Sequence, residues 1–170
     1  INNKTMSWIY EGQTIEKIED LPKEEQEAFG FIYCIVLNYK RKSYEYYGKK
    51  NFFSVQSKRA SAKQLALLGK SAFRRKKQKI GKEKGAWYYY QVIKTEMKWQ
   101  EYNSSSKEVI AMIKDGAQAT KYMLQIVHEE NMMNYFECKH QFCSGVLEEE
   151  RFLNGNILGR FHKANIINKK

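Results

Sequence analysis

The chain has 170 residues, 42% of them hydrophobic and 14% aromatic, with a formal charge of +11 at pH 7 and three cysteines. This length holds one domain with a sizeable core, and the apolar and aromatic content excludes a disordered chain. No apolar run approaches the roughly 20 residues of a membrane-spanning helix, and Cys34, Cys138 and Cys143 are odd in number without CxxC spacing, which argues against a disulfide framework or structural zinc and suits an intracellular, reducing setting.

The charge is concentrated. Sixteen of the 30 Lys and Arg residues lie in Lys40–Lys84 with only Glu45 and Glu83 of the 19 acids, so this stretch carries +14 and the rest of the chain −3. Such a density favours a polyanion, and a nucleic-acid backbone in particular, because each neutralised phosphate releases condensed counterions. Several aromatic residues are interleaved with lysines in Tyr44–Phe53 and again in Trp87–Trp99. They offer stacking and cation–π contacts to nucleic acid, or ordinary packing over lysine stems.

In chain order, residues 1–28 read as an acidic N-terminal arm, with a short helix expected from Pro22. The domain proper is expected over 29–170. Phe31–Leu37 is a β-forming run, a polar turn spans Asn38–Lys42, and Ser43–Tyr47 returns to Gly48 as the second strand of a hairpin. A basic insertion, 49–85, follows; within it Ser61–Leu68 has helical character, whereas Lys76–Gly85 is expected as an exposed loop. Trp87–Ile93 reads as a strand, Lys107–Lys114 as a helix capped by Ser104–Ser106 and ended near Gly116, and Lys121–His128 as another strand. Asn131–Ser144 reads as a helix with Met132, Phe136 and Cys143 toward an apolar face, and the tail from Asn154 as a loop with at most a short strand. The order predicts a small α/β or α+β domain whose mixed sheet opens with a hairpin.

Three features of this order bear on chemistry. Phe31-Ile32-Tyr33 and Tyr46-Tyr47-Gly48, on the two hairpin strands, can bring two phenols onto one sheet surface. Glu137 lies in a predicted helix between apolar neighbours, and Leu153-Asn154-Gly155-Asn156 follows at a distance that lets the tail fold back. A carboxylate for one divalent cation, nearby phenols and a cationic clamp are the parts that phosphodiester hydrolysis requires. His140 shares the face of Glu137 but supplies too few ligands for a transition metal, and Gly69, Gly81 and Gly85 do not form a phosphate loop.

The chain resembles the GIY-YIG nuclease family, and more closely its phage-encoded members, through Gly30-Phe31-Ile32-Tyr33-Cys34-Ile35, Tyr46-Tyr47-Gly48-Lys49-Lys50, Glu137 and Asn154. Trp99-Gln100-Glu101-Tyr102-Asn103-Ser104-Ser105 is similar to a tryptophan, tyrosine and serine segment of those members, and the resemblance runs from about Phe29 to Phe161. Phe31 stands where the family usually has glycine, and Tyr47 replaces an isoleucine. The resemblance implies that Tyr33 is the general base or orients the attacking water, that Tyr46 bonds water or phosphate, and that Glu137 ligates one Mg²⁺ or Mn²⁺. It further implies that Asn154 anchors the site and that a helical arginine stabilises the phosphorane, assisted by Lys49 or Lys50. Arg59 is the nearest candidate for that arginine, with Arg74 and Arg75 as alternatives.

Double-stranded DNA is the implied partner, gripped by Lys50, Lys58, Arg74, Arg75, Lys76, Lys77 and Lys79. A phage origin would place the protein in the cytoplasm of an infected host. One active site cuts one strand, so a double-strand break needs a homodimer or sequential nicks. The competing readings are a catalytically inactive nucleic-acid-binding protein on the same scaffold and an RNA-binding protein of a ribonucleoprotein particle.

Overall fold

A computed structural model describes residues 6–80 and 83–167, apart from the side chains of 79, 80, 83 and 84. Its strands are β1 (Trp8–Tyr10), β2 (Gln13–Ile15), β3 (Gly30–Tyr39), β4 (Lys42–Asn51), β5 (Phe53–Arg59), β6 (Arg74–Ile80), β7 (Glu83–Glu96), β8 (Gln118–Val127), β9 (Asn156–Ile157) and β10 (Phe161–His162). The helices are α1 (Ala62–Leu68), α2 (Lys107–Lys114), α3 (Met133–Cys143) and α4 (Lys163–Ile167). The fold is mixed α+β. The chain divides into two compact units, the first comprising residues to Phe52 and from Lys98, the second Phe53–Met97.

In the first unit β2-β1-β8-β3-β4 form a mixed sheet, with β1 parallel to β8 and the other pairs antiparallel. The run Phe-Ile-Tyr-Cys-Ile-Val-Leu in β3 takes a central place because β-branched and aromatic residues suit a pleated surface covered on both sides. Its alternate residues Phe31, Tyr33, Ile35 and Leu37 are all fully buried. They face an aromatic core in which Trp8 meets Phe31 at 4.9 Å and Tyr33 at 5.3 Å, and Phe52 meets Trp99 at 5.2 Å, centroid to centroid. On the other face Ile32 packs with Val127 and Met133, so α3 covers that side. The β3–β4 hairpin turns on Lys40 and Arg41, whose φ angles of 48° and 65° are those of a two-residue type I′ turn, which matches the twist of the strands.

Residues 1–28, expected as an acidic arm apart from the domain, contribute β1 and β2 to this sheet. Trp8 is fully buried and its indole N–H donates to the Trp99 carbonyl at 3.0 Å. The expected helix after Pro22 is a series of turns, and the single helical turn nearby is 3₁₀, at Ile18–Asp20. Helix α3 begins at Met133, and its Cys143 is exposed where an apolar face was expected. The tail is more ordered than a loop: β9, β10 and α4 follow Asn154 among the described residues.

The second unit is a three-stranded antiparallel sheet, β5-β7-β6, with α1 between β5 and β6. Helix α1 starts in a capping box: Ser61 Oγ accepts from the Gln64 N–H at 3.3 Å and Gln64 Oε1 from the Ser61 N–H at 3.0 Å. The stretch expected as an exposed loop, Lys76–Gly85, is largely strand, forming the end of β6 and the start of β7; residues 81 and 82 lie outside the described residues. Within that stretch Lys76, Lys77 and Gln78 are exposed, as their charge and polarity signalled, although they stand on a strand and not in a loop.

Candidate active site

Register brings the two tyrosines together. Tyr33 pairs with Gly48 across the hairpin, so Tyr46, two residues earlier, lies diagonally opposite on the same face, with ring centroids 6.3 Å apart. Gly48 is the residue this arrangement needs. A Cβ there would stand 2.5 Å from the Tyr33 Oη and 2.6 Å from its Cζ, because the Tyr33 ring lies across the bare backbone. Gly30 has the same character, since a Cβ there would lie 2.9 Å from both the Asn51 Cα and the Met133 Cε.

A third phenol completes the group. Tyr33 Oη is 3.3 Å from Tyr102 Oη, and Tyr46 Oη is 3.2 Å from Ser105 Oγ. Burial, with the neighbouring Tyr102 phenol, pushes the Tyr33 pKa far above the ordinary phenol range, and burial raises that of Tyr46. Tyr102 and Ser105 sit on the segment before α2, which is tied down from beneath by Lys121. That lysine is fully buried, its Nζ donating to the carbonyls of Gln100 at 3.1 Å and Tyr102 at 3.2 Å, 4.7 Å from the Trp8 ring centroid. Burial lowers its pKa to about 8. Above the segment, Lys50 Nζ stands 4.3 Å from the Tyr102 ring centroid. The role of Tyr102 beside Tyr33 was not foreseen, although it stands in the segment that carried the family resemblance.

Strand β4 is the edge of the sheet, and the tail docks along it. The Glu45 N–H donates to the Arg151 carbonyl at 2.9 Å and the Leu153 N–H to the Glu45 carbonyl at 2.8 Å. Asn154 continues the ladder with its side chain: Oδ1 accepts from the Tyr47 N–H at 2.9 Å and Nδ2 donates to the Tyr47 carbonyl at 2.8 Å. The buried amide thus satisfies one backbone donor and one acceptor of an edge strand. Asn154→Ala leaves both without that partner, and a loss of about 1–3 kcal/mol is expected in denaturant unfolding, with the m-value unchanged.

Glu137, on α3, reaches the same edge. Its Oε2 pairs with Lys49 Nζ at 2.9 Å, and Lys49 also donates to Asn134 Oδ1. Glu137 lines a polar cleft of about 260 Å³ with Tyr46, Gln141, Asn154, Gly155 and Asn156. Gln141, buried on the next turn of the helix, donates weakly to the Tyr47 carbonyl at 3.4 Å. His140 turns away and meets Gln125 Oε1 at 2.9 Å. Tyr33, Tyr46, Lys49, Glu137 and Asn154 are therefore gathered around β4 within one unit. The donors facing the cleft are a single carboxylate and neutral amide and phenol groups, a set that suits a hard, oxygen-preferring cation retaining much of its water shell.

Arg59 is placed differently. It ends strand β5 of the second unit, whereas the resemblance implied an arginine on a helix, and its guanidinium lies 5.5 Å from the Tyr88 ring centroid. No arginine is among the described residues lining the Glu137 cleft; the cation beside the carboxylate is Lys49. Lys58, Arg74, Arg75, Lys76 and Lys77 also belong to the second unit, and the Lys79 side chain lies outside the described residues.

Among the described residues no helix is long and apolar enough to cross a membrane. No curated protein and no solved structure matches the chain significantly. A family model described as "Putative endonuclease segE, GIY-YIG domain" matches residues 8–157, from the first strand of the sheet to the strand that follows Asn154. With the whole five-stranded sheet, both tyrosine signatures, Glu137 and Asn154 inside that match, the chain belongs to the segE-type GIY-YIG endonuclease family.

Proposed function

We propose that the chain is a divalent-metal-dependent endonuclease that hydrolyses phosphodiester bonds in DNA, one strand per active site. The observation that carries this reading is the convergence of Tyr46, Glu137 and Asn154 on one polar cleft, with Tyr33 and Lys49 in direct contact with its members. Membership in an endonuclease family supports it.

The roles follow from position. Tyr33 is deeply buried and held protonated, which favours orienting water through its hydroxyl over acting as a standing base. Tyr46 reaches the cleft and can bond the attacking water or a phosphate oxygen. Glu137 would hold one Mg²⁺ or Mn²⁺, which when bound offsets charge on the phosphate and acidifies a coordinated water. Lys49 stands beside that carboxylate as the cation for developing phosphate charge, while Arg59 is counted with the DNA-binding residues of the second unit. Asn154 is a positioning residue that holds the backbone next to Tyr46.

Conversion of supercoiled plasmid in Mg²⁺, in Mn²⁺ and in EDTA tests the reading. Nicked circles are expected to accumulate before linear DNA with either ion and to be absent in EDTA. Cleavage undiminished by EDTA would remove the metal from the account. The absence of an arginine from the described residues lining the cleft favours the alternative of a non-cleaving DNA-binding protein on this scaffold. Duplex binding in EDTA without cleavage in any cation would establish that alternative.

A further inference from the structure

The second unit contains a feature that neither the family match nor the cleft explains: a sheet with no apolar side. Of its described residues only Ala60 is buried, and Trp87 in the central strand is 51% exposed. A sheet that covers a core has one apolar face, and register shows that neither face of this one qualifies. Arg59 and Arg74 both pair with Tyr90, and Lys76 pairs with Tyr88, so these three cations and two tyrosines share a face. Lys58 pairs with Gln91, Arg75 with Tyr89 and Lys77 with Trp87, which places three cations and two aromatic rings on the other.

Each face is organised in the same way, with cations resting on rings. The Arg59 guanidinium is 5.5 Å from the Tyr88 centroid on the first face; on the second, Arg75 and Lys77 lie 4.9 Å and 5.2 Å from the Trp87 centroid and Lys70 lies 5.8 Å from that of Tyr89. Resting on a ring restrains a long side chain and shields its stem while leaving the charge exposed. Phe53–Met97 holds twelve basic residues and two acidic ones, a formal charge of +10.

A sheet that lay flat on a phosphate backbone would need cations on one face only. Cations on both faces match a partner with phosphates on both sides of the sheet. A duplex groove has that form: two sugar-phosphate walls flank it, and the major groove, about 12 Å wide, admits a two-stranded β-ribbon. Strand β6 is one of the two edges of the sheet, β5 being the other, and it carries Arg74, Arg75, Lys76 and Lys77 in succession, alternating between the faces. We propose that the β6–β7 ribbon enters the major groove of duplex DNA with β6 leading, Arg74 and Lys76 facing one phosphate wall and Arg75 and Lys77 the other. This inference rests on the reading of DNA as substrate.

The test is equilibrium binding of the full chain to a 25-base-pair duplex in EDTA, followed by fluorescence anisotropy across KCl concentrations. Two double variants separate the faces, Arg74→Gln with Lys76→Gln and Arg75→Gln with Lys77→Gln. Each is expected to reduce the slope of log K against log[salt] by about 2, one for each phosphate no longer neutralised, and the quadruple variant by about 4. Methyl green, a major-groove ligand, is expected to compete with the protein, and netropsin, a minor-groove ligand, is not. A slope change confined to one face, competition by netropsin alone, or single-stranded DNA or RNA bound as tightly as the duplex would overturn the ribbon. In those cases Mg²⁺-dependent plasmid cleavage would still stand, whereas failure to bind or cleave any duplex would defeat the nuclease reading itself.

Discussion

Glu137→Gln and Glu137→Ala are each expected to lose metal-dependent plasmid cleavage by at least about 100-fold, the scale seen when a group that stabilises transition-state charge is removed. Glu137 is the only carboxylate among the described residues lining the cleft, so its removal leaves no acidic oxygen among them to hold a divalent cation. Glutamine keeps the volume and loses the charge, which separates ligation from packing. Lys49 loses its partner at 2.9 Å but keeps its bond to Asn134, and both side chains of the pair are partly solvated. The effect on stability should therefore stay within about 1 kcal/mol. Duplex binding in EDTA should be unchanged or tighter, since a negative charge has been removed. Cleavage at the wild-type rate by both variants would take Glu137 out of the chemistry, and parallel loss of binding and folding would make it structural.

The second large effect is expected at Gly48. Gly48→Ala would place a methyl group 2.5 Å from the Tyr33 hydroxyl oxygen, and one of the two must move. The tyrosine has little room: it is fully buried, with ring centroids of Trp8 at 5.3 Å, Tyr102 at 5.9 Å and Phe31 at 6.3 Å. Overpacking of this kind costs about 1–3 kcal/mol, and for a chain of this size each kcal/mol lowers Tm by about 2–4 °C. Cleavage should fall as well, because the displaced hydroxyl no longer meets Tyr102. Tyr33→Phe is the companion variant, since it leaves the ring in place and removes only the oxygen. It is expected to keep the fold and lose cleavage by about 100-fold, the lower end of what a positioned proton-transfer or orienting group contributes. An unchanged Tm for Gly48→Ala would refute the crowding, and full activity of Tyr33→Phe would separate the signature tyrosine from the reaction.

Sequence reading worked where local chemistry dictates local structure. The hairpin strands, the helix capped at Ser61 and the helix between Ser106 and Gly116 carry their own signals in β-forming runs, capping side chains and a terminal glycine, and they stand close to where those signals put them. It misplaced two regions for one reason. Residues 8–15 are short strands among polar residues, and β6 is a strand of almost uninterrupted cations, so neither shows the apolar alternation by which a half-buried strand is known. The first becomes a strand because Trp8 fills the aromatic core beside Phe31 and Tyr33; the second pairs with β7 without covering any core.

Two phenols, a carboxylate, an amide and a cluster of cations of the candidate site were legible in the sequence alone, because order and composition suffice to state a chemistry; the third phenol, Tyr102, was not. Which of them meet was decided only by the tertiary structure. Asn154 reaches Tyr47 across 107 positions because β4 is an edge strand whose free backbone groups require partners, and Lys49 meets Glu137 because α3 covers the face of the hairpin opposite Tyr33. The same pairing left Arg59 on a strand of another unit and Lys49 beside Glu137. Contacts between residues distant in sequence depend on strand register and on which face each helix covers, and those are set by burial summed over the whole domain.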